Sequence, residues 1–149
     1  MPTFSKEMMR EIIMDHYNNP LHKKTPSDLK TYYSINMNST SCIDDITIFL
    51  KVENGKIIDA LFDGIACTIS TASTDIMCDL VIGKTLDEAL YIFKQYTNMI
   101  YEKEFDEKVL DEALVFINTS KQAARIKCAT IGWNGLEKII EDDCQHEKK

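Results

Sequence analysis

A chain of 149 residues, 44% of them hydrophobic, is long enough to bury one sizeable core and too short for two ordinary domains, so a single unit over 1–149 is expected. A net charge of −7 argues against a nucleic-acid binder, because phosphate binding draws mainly on clustered Lys and Arg. No uncharged run approaches the roughly 18 residues needed to span a bilayer, and "MPTFSKEMMREIIMDHY" lacks the unbroken apolar stretch of a secretory signal. The expectation is a soluble, cytoplasmic protein without membrane or nucleic-acid partners.

Residues Ser5 to Asn18 place Met8, Met9, Ile12, Ile13 and Tyr17 on one side of a helix that stops at "NNP", where Pro20 prevents simple continuation. Residues 21–30 are polar and interrupted by proline, and are expected to form a loop. The period then becomes two. Tyr33, Ile35 and Met37 alternate with polar residues, Ile46, Ile48, Leu50 and Val52 repeat the pattern, and Asn54-Gly55 supplies a tight turn into Ile58, Ala60 and Phe62. A three-stranded meander follows.

Helical spacing returns with Ile69, Ala72, Ile76 and Leu80, ending near Gly83. Thr85 and Glu88 have capping-box spacing ahead of Leu86, Ala89, Leu90 and Phe93. Residues 101–122 are acidic first and apolar later, and are expected to form a loop followed by a short helix. A last helix begins near "QAARIKC" and carries Ile126, Ala129, Trp133, Leu136 and Ile140. Gly132 and Gly135 interrupt it, each costing about 1 kcal/mol against alanine, which tight packing would explain. The tail from about 141 to 149 is polar and expected to fray. The fold class expected is α+β, a small antiparallel three-stranded sheet packed against several helices.

Three cysteines stand at element boundaries: Cys42 where a strand begins, Cys67 where a strand gives way to a helix, and Cys128 near the start of the last helix. Unpaired N–H groups and the positive end of a helix dipole favour thiolate, the form that binds metal and acts as nucleophile. Asp44 projects to the same side of an extended segment as Cys42 and adds an oxygen donor. Three thiolates and a carboxylate suit tetrahedral zinc and equally suit part of an iron–sulfur cluster. Spacing by itself also accommodates small packed thiols. Cys78 falls mid-helix and is best explained as an inert packed thiol. Cys144 and His146 lie in the charged tail, and His16 and His22 are assigned to packing or surface roles. The acidic runs at 102–112 and 141–143 are expected to be solvated faces.

The segments "MNSTSCIDDI", "FDGIACTISTAS" and "SKQAARIKCATIGW" carry a resemblance to a known family. From "IIMDHYNNP" to "LEKII" the chain resembles the SufU branch of the family of IscU and the NifU N-terminal domain, which assembles iron–sulfur clusters. In the scaffold branch a histidine typically precedes the third cysteine. Here Lys127 does, and the acidic stretch at 101–118 is similar to the insertion of the SufU branch.

The resemblance implies that Cys42, Asp44, Cys67 and Cys128 bind Zn2+. It further implies that Cys42 accepts sulfur from a cysteine desulfurase, with Arg125 supporting the thiolate or meeting a persulfide, and that the sulfur passes to a downstream iron–sulfur assembly or acceptor protein. Such a protein is a sulfur carrier rather than a turnover enzyme, and Cys42 is expected to be partly open to solvent. Two alternatives accompany this reading: a scaffold for a transient [2Fe–2S] cluster, and a zinc-stabilised adaptor that modulates a desulfurase. The chain departs from the family pattern at Ile43, where the family has Gly, and at Thr40 and Ala66. A β-branched residue resists the positive φ that glycine allows, which bears on the shape of the Cys42 loop.

Overall fold

The computed structural model describes residues 4–38 and 43–144, so Cys42, Thr40 and His146 lie outside the described residues. Three strands, β1 (Tyr33–Asn38), β2 (Asp45–Glu53) and β3 (Lys56–Ile65), form an antiparallel meander in the order β1-β2-β3. Alternation along β1 is strict, with Tyr33, Ile35 and Met37 half-buried and Ser34, Asn36 and Asn38 exposed. Asn54 and Gly55 take φ of 54° and 75°, the left-handed pair that a tight hairpin turn requires.

One inward assignment shifts in β3. The pairing slips between Lys51 and Val52, so that Lys51 faces Asp59 while Val52 faces Ile57. The extra residue turns Ile57 into the core and leaves Ile58 42% exposed, the reverse of what simple alternation predicts for Ile58.

Four α-helices lie among the described residues, α1 (Lys6–Asn18), α2 (Thr68–Val81), α3 (Leu86–Ile100) and α4 (Ala123–Lys138); α2 and α4 pack against the sheet, and α1 and α3 pack on those two. The Thr85 side chain accepts from Glu88 N–H at 3.1 Å and Glu88 Oε1 accepts from Thr85 N–H at 2.9 Å, completing the capping box at the start of α3. Residues 101–122 form short 3₁₀ turns at Glu107–Val109, Asp111–Phe116 and Thr119–Lys121 rather than a loop and one short helix. Leu110, Ala113, Leu114, Val115 and Phe116 fasten this segment to the core. After α4 the chain makes a π turn over Ile139–Asp143. Cys144 is fully buried, so packing extends past residue 141, where the polar composition predicts fraying.

The central helix is α2, buried on nearly every side although it carries Ser70, Thr71, Ser73, Thr74 and Asp75. Most of these polar groups are satisfied. Ser73 and Tyr96 both donate to the Ala129 carbonyl at 2.7 Å, and Trp133 Nε1–H donates to Ser73 Oγ at 3.1 Å. The Trp133 indole stacks on Tyr96 with centroids 4.1 Å apart.

α1 docks on α2 through a narrower stripe than its apolar residues predict. Met9, Ile12 and Ile13 pack against the core, whereas Met8 is 46% and Tyr17 39% exposed. The buried residue of α1 is His16, whose Nδ1 lies 2.6 Å from Asp75 Oδ2 and whose Nε2 lies 2.9 Å from Glu112 Oε1. Asp75, fully buried, also accepts from the backbone N–H of His22 at 2.9 Å. Both residues therefore hydrogen-bond buried Asp75, His16 through its ring and His22 through its backbone, and His16 ties α1 to α2 and to the 3₁₀ turn at Asp111–Phe116.

Candidate metal centre

Asp44 enters the site from the segment leading into β2. Gly64 lets the paired strand come close here: at φ +124° its missing Cβ would stand 2.3 Å from the Asp45 carbonyl oxygen, so no side chain fits. The Asp44 carboxylate is 1% exposed. Its Oδ1 accepts from the Cys67 backbone N–H at 2.9 Å and from the Ser70 hydroxyl at 2.7 Å, so the end of α2 holds it in place.

Cys67 caps α2. Its Sγ accepts from Ser70 N–H at 3.5 Å and lies 3.3 Å from the Ser70 hydroxyl. Cys128 sits on the second turn of α4 and is 6% exposed. The carboxylate of Asp44 and the sulfurs of Cys67 and Cys128 all lie within 4.8 Å of one another. Residues 23 and 61 positions apart in sequence are thereby brought to one end of the molecule.

This donor set fits zinc. At Zn–S of about 2.3 Å and Zn–O of about 2.0–2.2 Å, tetrahedral ligands stand about 3.5–3.8 Å apart, so separations within 4.8 Å need at most about 1.3 Å of closing. Cys42, two residues from Asp44, is outside the described residues, and with it the expectation of solvent access there. Ile43 is 67% exposed, and the shape of the Cys42 loop before it lies outside the described residues.

Arg125 is exposed one turn before Cys128 and lines an open groove of about 830 Å³ together with Lys6, Arg10, Lys121 and Ile69. On an acidic chain this is a local concentration of positive charge beside Cys67. Cys78 is fully buried, and burial together with Asp75 and Asp79 pushes its thiol well up, so it stays a protonated packing group, as its mid-helix position suggests. Ser70, which grips both Asp44 and the Cys67 sulfur, is the site residue that sequence reasoning passes over. Its only sequence signal is that it stands three residues after a cysteine at a helix start.

The model of the NifU-like N-terminal domain matches residues 8–142. The chain belongs to the NifU-like N-terminal domain family. It is 37% identical over 134 residues to the zinc-dependent sulfurtransferase SufU of Bacillus subtilis, with 89% of each chain covered. It is 36% identical over 131 residues to the iron–sulfur cluster assembly scaffold protein IscU of Streptococcus pyogenes, covering 87% of this chain and 80% of that one. Among solved structures, a candidate scaffold protein for the SUF system from Fervidobacterium islandicum superposes with a TM-score of 0.78 at 35% identity, over 85% of this chain and 92% of that one. The α+β architecture expected from the sequence is thus that of the NifU-like family. No helix among the described residues is long and apolar enough to cross a membrane.

Proposed function

We propose that this NifU-like chain is a sulfur acceptor in iron–sulfur cluster assembly, holding zinc with Asp44, Cys67, Cys128 and Cys42 and taking persulfide sulfur from a cysteine desulfurase. The observation that carries the reading is the convergence of one buried carboxylate and two cysteine sulfurs within 4.8 Å. Similarity to a zinc-dependent sulfurtransferase supports it. Zinc, when bound, is a Lewis acid that keeps its thiolates deprotonated.

The residues divide the work. Ser70 and the Cys67 N–H fix the Asp44 carboxylate, the hard donor of the set. Cys42 is the nucleophile: its thiolate attacks the terminal sulfur of the partner's cysteine persulfide. A new S–S bond forms at Cys42, the old one breaks, and the electron pair leaves on the partner's cysteine, with no net oxidation. Arg125, Lys6, Arg10 and Lys121 supply positive potential for an anionic persulfide. Ile43 and Ile65, 67% and 63% exposed on the segment before β2 and the end of β3, give a docking partner an apolar foothold. The sulfur then passes to a downstream iron–sulfur assembly or acceptor protein.

Similarity to proteins named as scaffolds supports a second reading, in which the same thiolates build a [2Fe–2S] cluster. Elemental analysis of protein purified without air separates the two. Stoichiometric zinc without acid-labile sulfide supports the acceptor, whereas iron with matching sulfide overturns it in favour of the scaffold. Cys42→Ala addresses the adaptor reading: an acceptor loses sulfur transfer, and a folded variant that still stimulates a desulfurase fully is an adaptor.

A further inference from the structure

A second cluster of donor atoms lies away from the thiolate end. Asp75 and Asp79 stand two and three turns down α2 from Cys67, roughly 12 and 18 Å along the axis at 1.5 Å per residue. A ring nitrogen of His16 and carboxylate oxygens of Asp79 and Glu112 lie within 4.8 Å of one another, and His22 Nε2 lies 2.6 Å from Asp79 Oδ1. The four side chains come from α1, the loop after it, α2 and the 3₁₀ turn at Asp111–Phe116, so the tertiary fold, not a local motif, assembles them.

Two features distinguish the cluster from a chance surface ion pair. The first is a built support. Buried Asp75 accepts from His16 Nδ1–H at 2.6 Å, which turns Nε2 toward Glu112, and its other oxygen accepts from the His22 backbone N–H. A carboxylate that holds the far nitrogen of an imidazole is the arrangement that orients histidine metal ligands. The second is charge. Three carboxyl side chains face two imidazoles, an excess of acidic groups that a dication bound among them would offset.

The geometry points to a second divalent transition-metal site, formed by His16, His22, Asp79 and Glu112 and backed by Asp75. Imidazole and carboxylate donors at about 2.0–2.2 Å stand roughly 2.8–3.6 Å apart around such an ion, from octahedral to tetrahedral angles. The His16–Glu112 contact of 2.9 Å is already in that range. The Asp79 and Glu112 side chains, 38% and 42% exposed, have the freedom to adjust, the 2.6 Å His22–Asp79 contact opening and the longer separations closing while buried His16 and Asp75 stay in place. Two nitrogens with carboxylate oxygens select a first-row ion such as Zn2+, Co2+ or Mn2+ rather than Mg2+ or Ca2+. The ion would clamp α1 and the 101–122 segment onto the helix whose first residues carry the other centre.

Cobalt tests this on the full chain, stripped of metal and kept reduced without air. Co2+ at the thiolate centre gives intense sulfur-to-cobalt charge-transfer absorption, whereas an imidazole–carboxylate site adds only weak d–d bands. Native mass spectrometry counts the ions. The expected result is two Co2+ per chain, the second without charge transfer, and the paired substitution Asp79→Asn with Glu112→Gln removes that second ion and leaves the thiolate bands intact. A single ion per chain, or a second ion untouched by the paired substitution, overturns the proposal and leaves the cluster as a hydrogen-bonded ion-pair set. If the paired variant loses its native near-UV dichroism, His22→Gln decides: it must weaken uptake of the second ion roughly tenfold or more, and unchanged uptake overturns the site.

Discussion

Gly132→Ala is the substitution whose consequence the packing of α2 against α4 determines most directly. A methyl group built at Gly132 stands 2.3 Å from Thr74 Oγ1, 2.9 Å from its Cγ2 and 3.0 Å from its Cβ. Rotating Thr74 relieves the first two contacts and not the third, and Thr74 is fully buried, so the helices themselves must part. Alanine gains about 1 kcal/mol of helix propensity. Overpacking of this severity costs about 1–3 kcal/mol, and with the backbone implicated the upper end applies. The net expectation is a loss of about 1–2 kcal/mol, or roughly 2–8 °C in Tm for a chain of this size.

The location adds a second readout. Gly132 lies one turn below Cys128 on α4, and Thr74 lies two turns below Cys67 on α2, so parting the helices also spreads the two sulfurs. Urea unfolding measures the first effect, and competition with a chromogenic zinc chelator measures the second, expected as several-fold weaker binding. Thr74 Oγ1 has no hydrogen-bond partner among the described residues, so Thr74→Ala sacrifices no such bond and opens room. Combined with Gly132→Ala it should recover at least half the lost stability. Gly135→Ala is the comparison: its methyl meets Ile48 Cγ1 at 2.9 Å and Met37 Cγ at 3.0 Å, side-chain atoms without the 2.3 Å overlap at Thr74, so its loss should be the smaller of the two. A Gly132→Ala protein as stable as its parent, or more so, would refute helix contact as the reason for the glycine.

Two further outcomes follow from the same contacts. Ser70→Ala removes the hydroxyl that holds Asp44 at 2.7 Å and should speed zinc loss to a chelator about 10-fold or more, with Ser70→Thr restoring most of the retention; unchanged loss rates in a natively folded variant would sink the positioning role. In chelator-stripped protein, the bond to Asp75, opposed by desolvation and reinforced by Glu112, raises His16 from 6.5 to about 9, so its stabilisation is complete below pH 6.5 and is lost as pH climbs through 9. Allowing for solvent screening at exposed Glu112, the loss is roughly 1–2 kcal/mol. It is read as a drop in the urea midpoint between pH 6.5 and 9.5 that Glu112→Gln diminishes, and equal drops in the two proteins would contradict the assignment.

Much of the fold is legible along the chain because its signals are local. Period two in Tyr33–Asn38, the Asn54-Gly55 turn and the Thr85/Glu88 capping box each act within a few residues, and each appears in the structure. The two glycines of α4 are informative for the same reason: an unfavourable local residue implies a close neighbour, which proves to be Thr74 for one and Ile48 and Met37 for the other. What escaped is long-range. A one-residue slip opposite Lys51 inverts Ile57 and Ile58 without altering composition. His16 meets Asp75 and Glu112 across 59 and 96 residues, and no spacing rule reaches that far. Likewise Asp44, Cys67 and Cys128 could be named as a set only through family resemblance. Their spacing is compatible with many folds, and only the strand-to-helix passage at Cys67 and the docking of α4 bring them together.

The stacked Trp133 has a practical consequence. It is the sole tryptophan of the chain, it is fully buried against Tyr96, and it lies five residues beyond Cys128 on the same helix. Excited selectively over the six tyrosines, this one indole gives an emission that reports a single event, the seating of α4 on its neighbours. Blue-shifted light marks the helix in place, and a red shift marks its release into water. Departure of a ligand, arrival of a partner or loosening by a substitution can each be timed in the unlabelled protein.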